Sequence, residues 1–135
     1  MRFWRFFFAV AGLFNLLGGA IGLLDVGAGF ERQGLPPPVY PFAFQILLGA
    51  VMILGIGYLM VAWNPARHRG IVWIGLLTKL DGFAFTTWAI WDGQLPRSAW
   101  WQPVVNDLVW AIGFAAFLIA TRGHDLSGQA DKMRR

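Results

Sequence analysis

Six polar side chains stand inside stretches otherwise apolar enough for lipid: Lys79 and Asp81 in "LLTKLDG", Asn106 and Asp107 in "VVNDLVW", Asn15 in the first run and Gln45 in the second. At bilayer depth a charge costs roughly 2.5–3.5 kcal/mol on insertion scales, so such groups face protein or water and pair with one another. Lys79 and Asp81 are two residues apart, about 200° around a helix, and so do not pair with each other. Counting about 1.5 Å per residue from the helix ends expected on the outer side puts Gln45 about 6 Å deep, Asp107 about 9 Å, Asn15 about 14 Å, Asp81 about 15 Å and Lys79 about 18 Å. Four segments therefore contribute to one polar band. Asp107 is the expected partner of Lys79, reached by the flexible lysine stem, and Asn15 is expected to complete the hydrogen bonding. Asp81 is expected to point into a different groove. Two chemistries fit: a buried ion pair that fixes helix register, or a site for a ligand, ion or proton.

The elements that position these residues follow from composition. Hydrophobic residues make up 57% of the 135-residue chain and charged residues 13%, against roughly 25% charged in soluble domains. Apolar runs at about 3–24, 41–63, 71–91 and 101–121 each match the roughly 20 residues needed to cross a hydrocarbon core. The expected fold is all-α, an integral membrane antiparallel four-helix bundle over residues 1–123, followed by a basic, flexible cytoplasmic tail over 124–135. Asp25, Gly27 and Gly29 close the first run, "LPPPVYP" cannot continue a helix, and Pro41 suits the opening turn of the second. "NPARHRG" and "DGQLPRS" are expected as tight polar turns, and short connections make successive helices antiparallel neighbours. "MRFWR" before an apolar stretch resembles the start of a signal peptide, but the run is long, contains Asn15 and lacks a small-residue cleavage site, so a retained span is expected.

Orientation comes from the basic residues. Arg2, Arg5, Arg67, Arg69, Arg122, Lys132, Arg134 and Arg135 fall on one side, Arg32 and Arg97 on the other. Both termini are thus expected in the cytoplasm, of a bacterial inner membrane. Trp4, Trp63 and Trp73 mark one interface and Trp88, Trp91, Trp100 and Trp101 the other, with Trp110 alone deep. The long first outer loop is expected either to fold back as a lid or to serve as a tether. The net charge of +4 is explained by headgroups rather than nucleic acid. Gly18, Gly22, Gly75 and Gly82 are expected at helix contacts, where small residues let membrane helices approach, with a homo-oligomer face or a membrane-complex partner as the outward use of the Gly18-xxx-Gly22 pair.

No catalytic set is expected. Cysteine is absent, which removes thiolate chemistry, and no nucleophile elbow, HExxH, P-loop or GxGxxG occurs. His68 and His124 lie among arginines without metal-ligand spacing, so no metal site is expected. The Gly-rich first helix, the "NPARHRG" turn and the polar groups in "LLTKLDG" and "VVNDLVW" give the chain a layout that resembles the small bacterial DoxX-like membrane proteins. That resemblance implies a place beside a quinone-linked respiratory assembly. Small multidrug transporters also have four short helices, but they carry a membrane-embedded Glu in the first helix where this chain has Asn15. The expected role is a non-enzymatic accessory or interaction subunit, or an oligomer. The alternative is a binder or carrier of a small anionic or amphipathic molecule, lipid- or quinone-like, at Lys79 and Asp107; a membrane enzyme acting on lipid or quinone ranks third.

Overall fold

The computed structural model describes residues 1–122, so His124, Lys132, Arg134, Arg135 and the expected tail lie outside the described residues. The described residues are mostly helical, with no strand among them. The order is α1 (Arg2–Leu24), a short α2 (Val26–Glu31), α3 (Pro41–Trp63), α4 (Arg69–Trp91) and α5 (Arg97–Ala120). Three of these, α1, α3 and α5, are long and apolar enough to cross a membrane. The fourth, α4, has the same 23 residues as α1 and α3, but Lys79 and Asp81 make it less apolar.

Local chemistry sets the boundaries. The extended backbone of Asp25 ends α1, and its Oδ1 accepts from Ala28 N at 2.9 Å to cap α2, the side-chain cap that acidic residues supply at helix starts. Gly34 takes the left-handed conformation at φ +71 that closes α2 through the Gly34 N to Glu31 O and Leu35 N to Phe30 O bonds. The first loop is therefore partly helical, and Phe30 docks edge-on against Phe44 of α3 at 4.6 Å. Pro41 opens α3 at a position whose N–H is not needed. Asn64 ends it and accepts from Arg67 N at 3.2 Å, so α4 starts at Arg69, two residues before the apolar run. Arg97 and Ser98, expected in a polar turn, instead begin α5, which runs through a 3-10 turn (Arg97–Trp100), a single α turn and a π turn (Val104–Leu108) before becoming regular.

The helices associate as two pairs. Along α1 and α3 residue numbers rise on one as they fall on the other: Arg5 Nε donates to Ala62 O at 3.0 Å, Gly12 faces Gly55, and Gly19 faces Leu48 and Met52. A Cβ on Gly12 would stand 2.8 Å from the Gly55 carbonyl oxygen, so two backbones touch where neither residue has a side chain. The same opposed sense relates α4 and α5. Arg69 donates to Leu118 O at 2.8 Å and Thr121 O at 3.0 Å, Gly75 faces Phe114, and Gly82 faces Asp107. Arg5 and Arg69 thus bind carbonyls at the C-terminal ends of α3 and α5, where helix dipoles favour positive charge.

The pairs join in the half of the molecule nearest those arginines. Phe8, Ala11, Tyr58, Val61, Val72, Phe114, Phe117 and Leu118 form the buried core there. Phe8 lies 5.3 Å from Phe114 and 5.1 Å from Phe117, ring to ring, and Tyr58 lies 4.9 Å from Phe114, the offset and edge-on geometries that aromatic quadrupoles favour. Outside it, Leu17, Ile21, Ile53, Leu77, Phe85 and Ile112 are exposed. An apolar surface of that extent suits lipid as solvent.

Candidate functional site

Lys79 is buried, at 8% exposure, in the middle of α4. Its Nζ donates to the main-chain oxygen of Asn106 at 2.7 Å and to Asp107 Oδ1 at 3.4 Å. The shorter bond is to a carbonyl, so Lys79 grips the backbone of the π turn more closely than it grips the acid. Such turns widen the helix locally and recur at functional sites. The amide side chain of Asn106 makes no hydrogen bond among the described residues; its contribution is the carbonyl.

Glycines make room for this arrangement. A Cβ on Gly82 would stand 3.0 Å from Cγ and both carboxylate oxygens of Asp107, so the acid rests on bare α4 backbone. One turn on the other side of Lys79, a Cβ on Gly75 would meet the Tyr58 hydroxyl at 2.7 Å. Tyr58 is fully buried, and its hydroxyl has no hydrogen-bond partner among the described residues, a state it shares with Thr87 Oγ1 and Trp110 Nε1. Sequence reasoning passed over Tyr58. The available signal was a hydroxyl in an otherwise apolar half-helix.

Above the ion pair, between the two helix pairs, opens a cavity of about 400 Å³. From α1 and α3 it takes Phe14, Asn15, Gly18, Gly19, Leu47, Leu48, Val51 and Leu54; from α4 and α5 it takes Thr78, Lys79, Asp81, Gly82, Asn106 and Asp107. All the expected polar residues but one border it. Asp81 lines this same cavity rather than a separate groove: from Asp81 through Thr78 and Gly82 to Lys79 the lining spans about 160° of α4. Asp81 is exposed at the rim and makes no hydrogen bond or ion pair among the described residues.

Three more expectations need correcting. Gln45 is exposed and outside the cavity; Leu47, Leu48, Val51 and Leu54 cluster about a direction roughly 130° around α3 from it. Depth along the axis was right for the band, but azimuth turns the side chain away. Asn15 does not complete the shell of Lys79. Its Nδ2 donates to Val51 O at 3.4 Å and ties α1 to α3. Gly18 meets nothing within 4 Å, so it borders open space instead of packing, whereas a Cβ on Gly19 would stand 2.5 Å from Met52 Cγ. The real contact stripe is Gly12, Asn15 and Gly19, readable as small or polar residues at spacings of three and four. Gly22 packs as expected, against the Leu48 side chain of α3, so Gly18 and Gly22 do not form one outward stripe.

Elsewhere, Trp63, Arg67 and His68 line a shallow hollow at the α3–α4 turn, and no group of three His, Asp or Glu among the described residues is placed to hold a metal. Compared with protein-family models, curated proteins and solved structures, the chain matches none.

Proposed function

We propose that this chain is a multi-pass protein of the bacterial inner membrane, an antiparallel four-helix bundle with both termini cytoplasmic, whose outer-half cavity binds the polar end of a small amphipathic molecule. The topology is supported by the division of basic residues, with Arg5, Arg67 and Arg69 at one end and Arg32 and Arg97 at the other. In that orientation the aromatic core fills the cytoplasmic half, and the space between the two helix pairs belongs to the outer half.

One observation carries the binding role: the buried Lys79 borders a cavity of about 400 Å³ instead of packed side chains. An ion pair serving register alone gains by close packing, because voids forfeit dispersion contacts. A cavity bounded by apolar α1 and α3 on one side and ionic α4 and α5 on the other matches a molecule with one polar and one apolar end. The space is within the range of ligand pockets, which run from roughly 300 to 1,000 Å³. The resemblance of the sequence layout to DoxX-like proteins makes a lipid- or quinone-like molecule the first class to examine.

The interaction-subunit alternative draws less support from the geometry. Gly12, Gly19, Gly55 and Gly75 are all in close contact within the chain, so these glycines are not open to a partner helix.

Gly18→Phe tests the binding role, since its Cβ meets nothing and the ring enters the cavity without displacing backbone. Wild-type protein released from native membranes into mild detergent should carry a bound lipid or quinone by native mass spectrometry, and Gly18→Phe should lose it while unfolding at a similar temperature. Equal occupancy in the two proteins would refute the role.

A further inference from the structure

We infer that the cavity selects molecules whose polar end is positively charged, an amine or quaternary ammonium on an apolar tail, with Asp81 as the counter-charge. This rests on the binding role above and names its ligand class.

The charges bordering the cavity are Lys79, Asp81 and Asp107. Lys79 is already spent: two of its three ammonium donors go to Asn106 O and Asp107 Oδ1, and its positive charge is balanced by that of Asp107. What remains is the Asp81 carboxylate, with no hydrogen bond or ion pair among the described residues and a place on the cavity rim. The lining therefore has a formal excess of one negative charge. An unbalanced carboxylate at this depth is costly, and a cation delivered by a ligand removes that cost while the ligand's own charge is balanced. An anionic head meets the opposite: Lys79 is neutralised from behind, and Asp81 repels it. From sequence alone Lys79 argues for an anion; its pairing reverses the sign.

The apolar end has a place to go. Leu47 and Leu48 line this cavity and also a smaller apolar one, which continues towards α2 past Phe30 and Phe44. A short alkyl tail lying across those leucines leaves its head at the Asp81 rim.

The test compares three ten-carbon probes that differ only in the head: decyltrimethylammonium, decanol and decyl sulfate. Each is titrated below its micellar concentration into protein in nanodiscs of digalactosyldiacylglycerol, an uncharged bilayer lipid whose head carries no ammonium group. Tryptophan fluorescence, to which Trp110 contributes from its place 5.2 Å from the cavity residue Phe14, reports occupancy. Every signal is taken relative to Gly18→Phe, which controls for partition into lipid, and Asp81→Asn keeps the shape at the rim without the charge. The expected result is that wild type binds the ammonium probe about tenfold more tightly than decanol, a factor corresponding to about 1.4 kcal/mol. In Asp81→Asn that preference should vanish, with thermal unfolding at or above the wild-type temperature, because the substitution also removes the cost of the unbalanced charge. If decanol or decyl sulfate binds as well as the ammonium probe and Gly18→Phe blocks it, the cavity binds ligands but the charge selection is overturned. If the ammonium preference survives in Asp81→Asn, Asp81 is not the counter-charge and the inference is overturned. If none of the probes distinguishes wild type from Gly18→Phe, the inference fails together with the binding role beneath it.

Discussion

Lys79→Met removes the cation that joins α4 to the π turn of α5, and its cost follows from the distances. At 3.4 Å and an effective dielectric constant of about 20, the attraction to Asp107 is about 5 kcal/mol before desolvation. Desolvating each ion costs several kcal/mol, so the pair as a whole contributes little net. Removing one member is different. Asp107 is left against the bare backbone of Gly82 with no counter-charge, and the Asn106 carbonyl loses a 2.7 Å donor. Breaking a buried pair this way costs about 3–5 kcal/mol. Asp107 also borders the cavity, where water can reach it, so the lower end of that range, about 3 kcal/mol, is expected. Lys79→Met with Asp107→Leu removes both charges and should restore stability to within about 1 kcal/mol of wild type. Unfolding in mixed micelles of increasing dodecyl sulfate fraction, followed by tryptophan fluorescence, measures all four corners of the cycle. Additive losses in the double variant would refute the pairing argument, because two independent sites do not compensate each other.

Glycines with different neighbours should respond differently to the same added methyl. Gly12→Ala, directed at the Gly55 carbonyl oxygen at 2.8 Å, should destabilise by about 1–3 kcal/mol in the same unfolding assay, while Gly18→Ala should be neutral or stabilise by up to about 1 kcal/mol through helix propensity. Gly82→Ala, 3.0 Å from the Asp107 carboxylate, should dislodge the acid and weaken retention of any co-purified molecule at least as much as it lowers stability. Arg69→Gln withdraws charge from the carbonyls of Leu118 and Thr121 and should cost about 1–2 kcal/mol by unfolding. The chain has no cysteine, so single-cysteine variants read topology directly: Arg32→Cys should react with an impermeant maleimide in intact spheroplasts, and Arg67→Cys only after lysis.

Lipid as the solvent and helix as the secondary structure were legible in the residues themselves. Runs of about twenty apolar residues have few other uses, and Pro41, Asn64 and Asp25 stop or start helices through local backbone chemistry that needs no distant partner. Depth was legible too, because rise per residue is constant; it put Lys79 and Asp107 in one band. Rotation about each helix axis was not legible. Apart from Gln45, α3 is apolar on every side, and so is the regular part of α5 over Val109–Ala120, so neither has a polar stripe to show which face turns inward. Only the packing of the two pairs decided that Gln45 faces out, that Gly19 rather than Gly18 makes the close contact, and that Tyr58 lies under Gly75. The same packing set the carbonyl of Asn106 closest to Lys79 and left Asp81 on the cavity rim without a partner among the described residues. An ionic group in an apolar span announces that it needs a neighbour, but which neighbour it finds depends on rotations and crossings that arise only when all the helices are packed together.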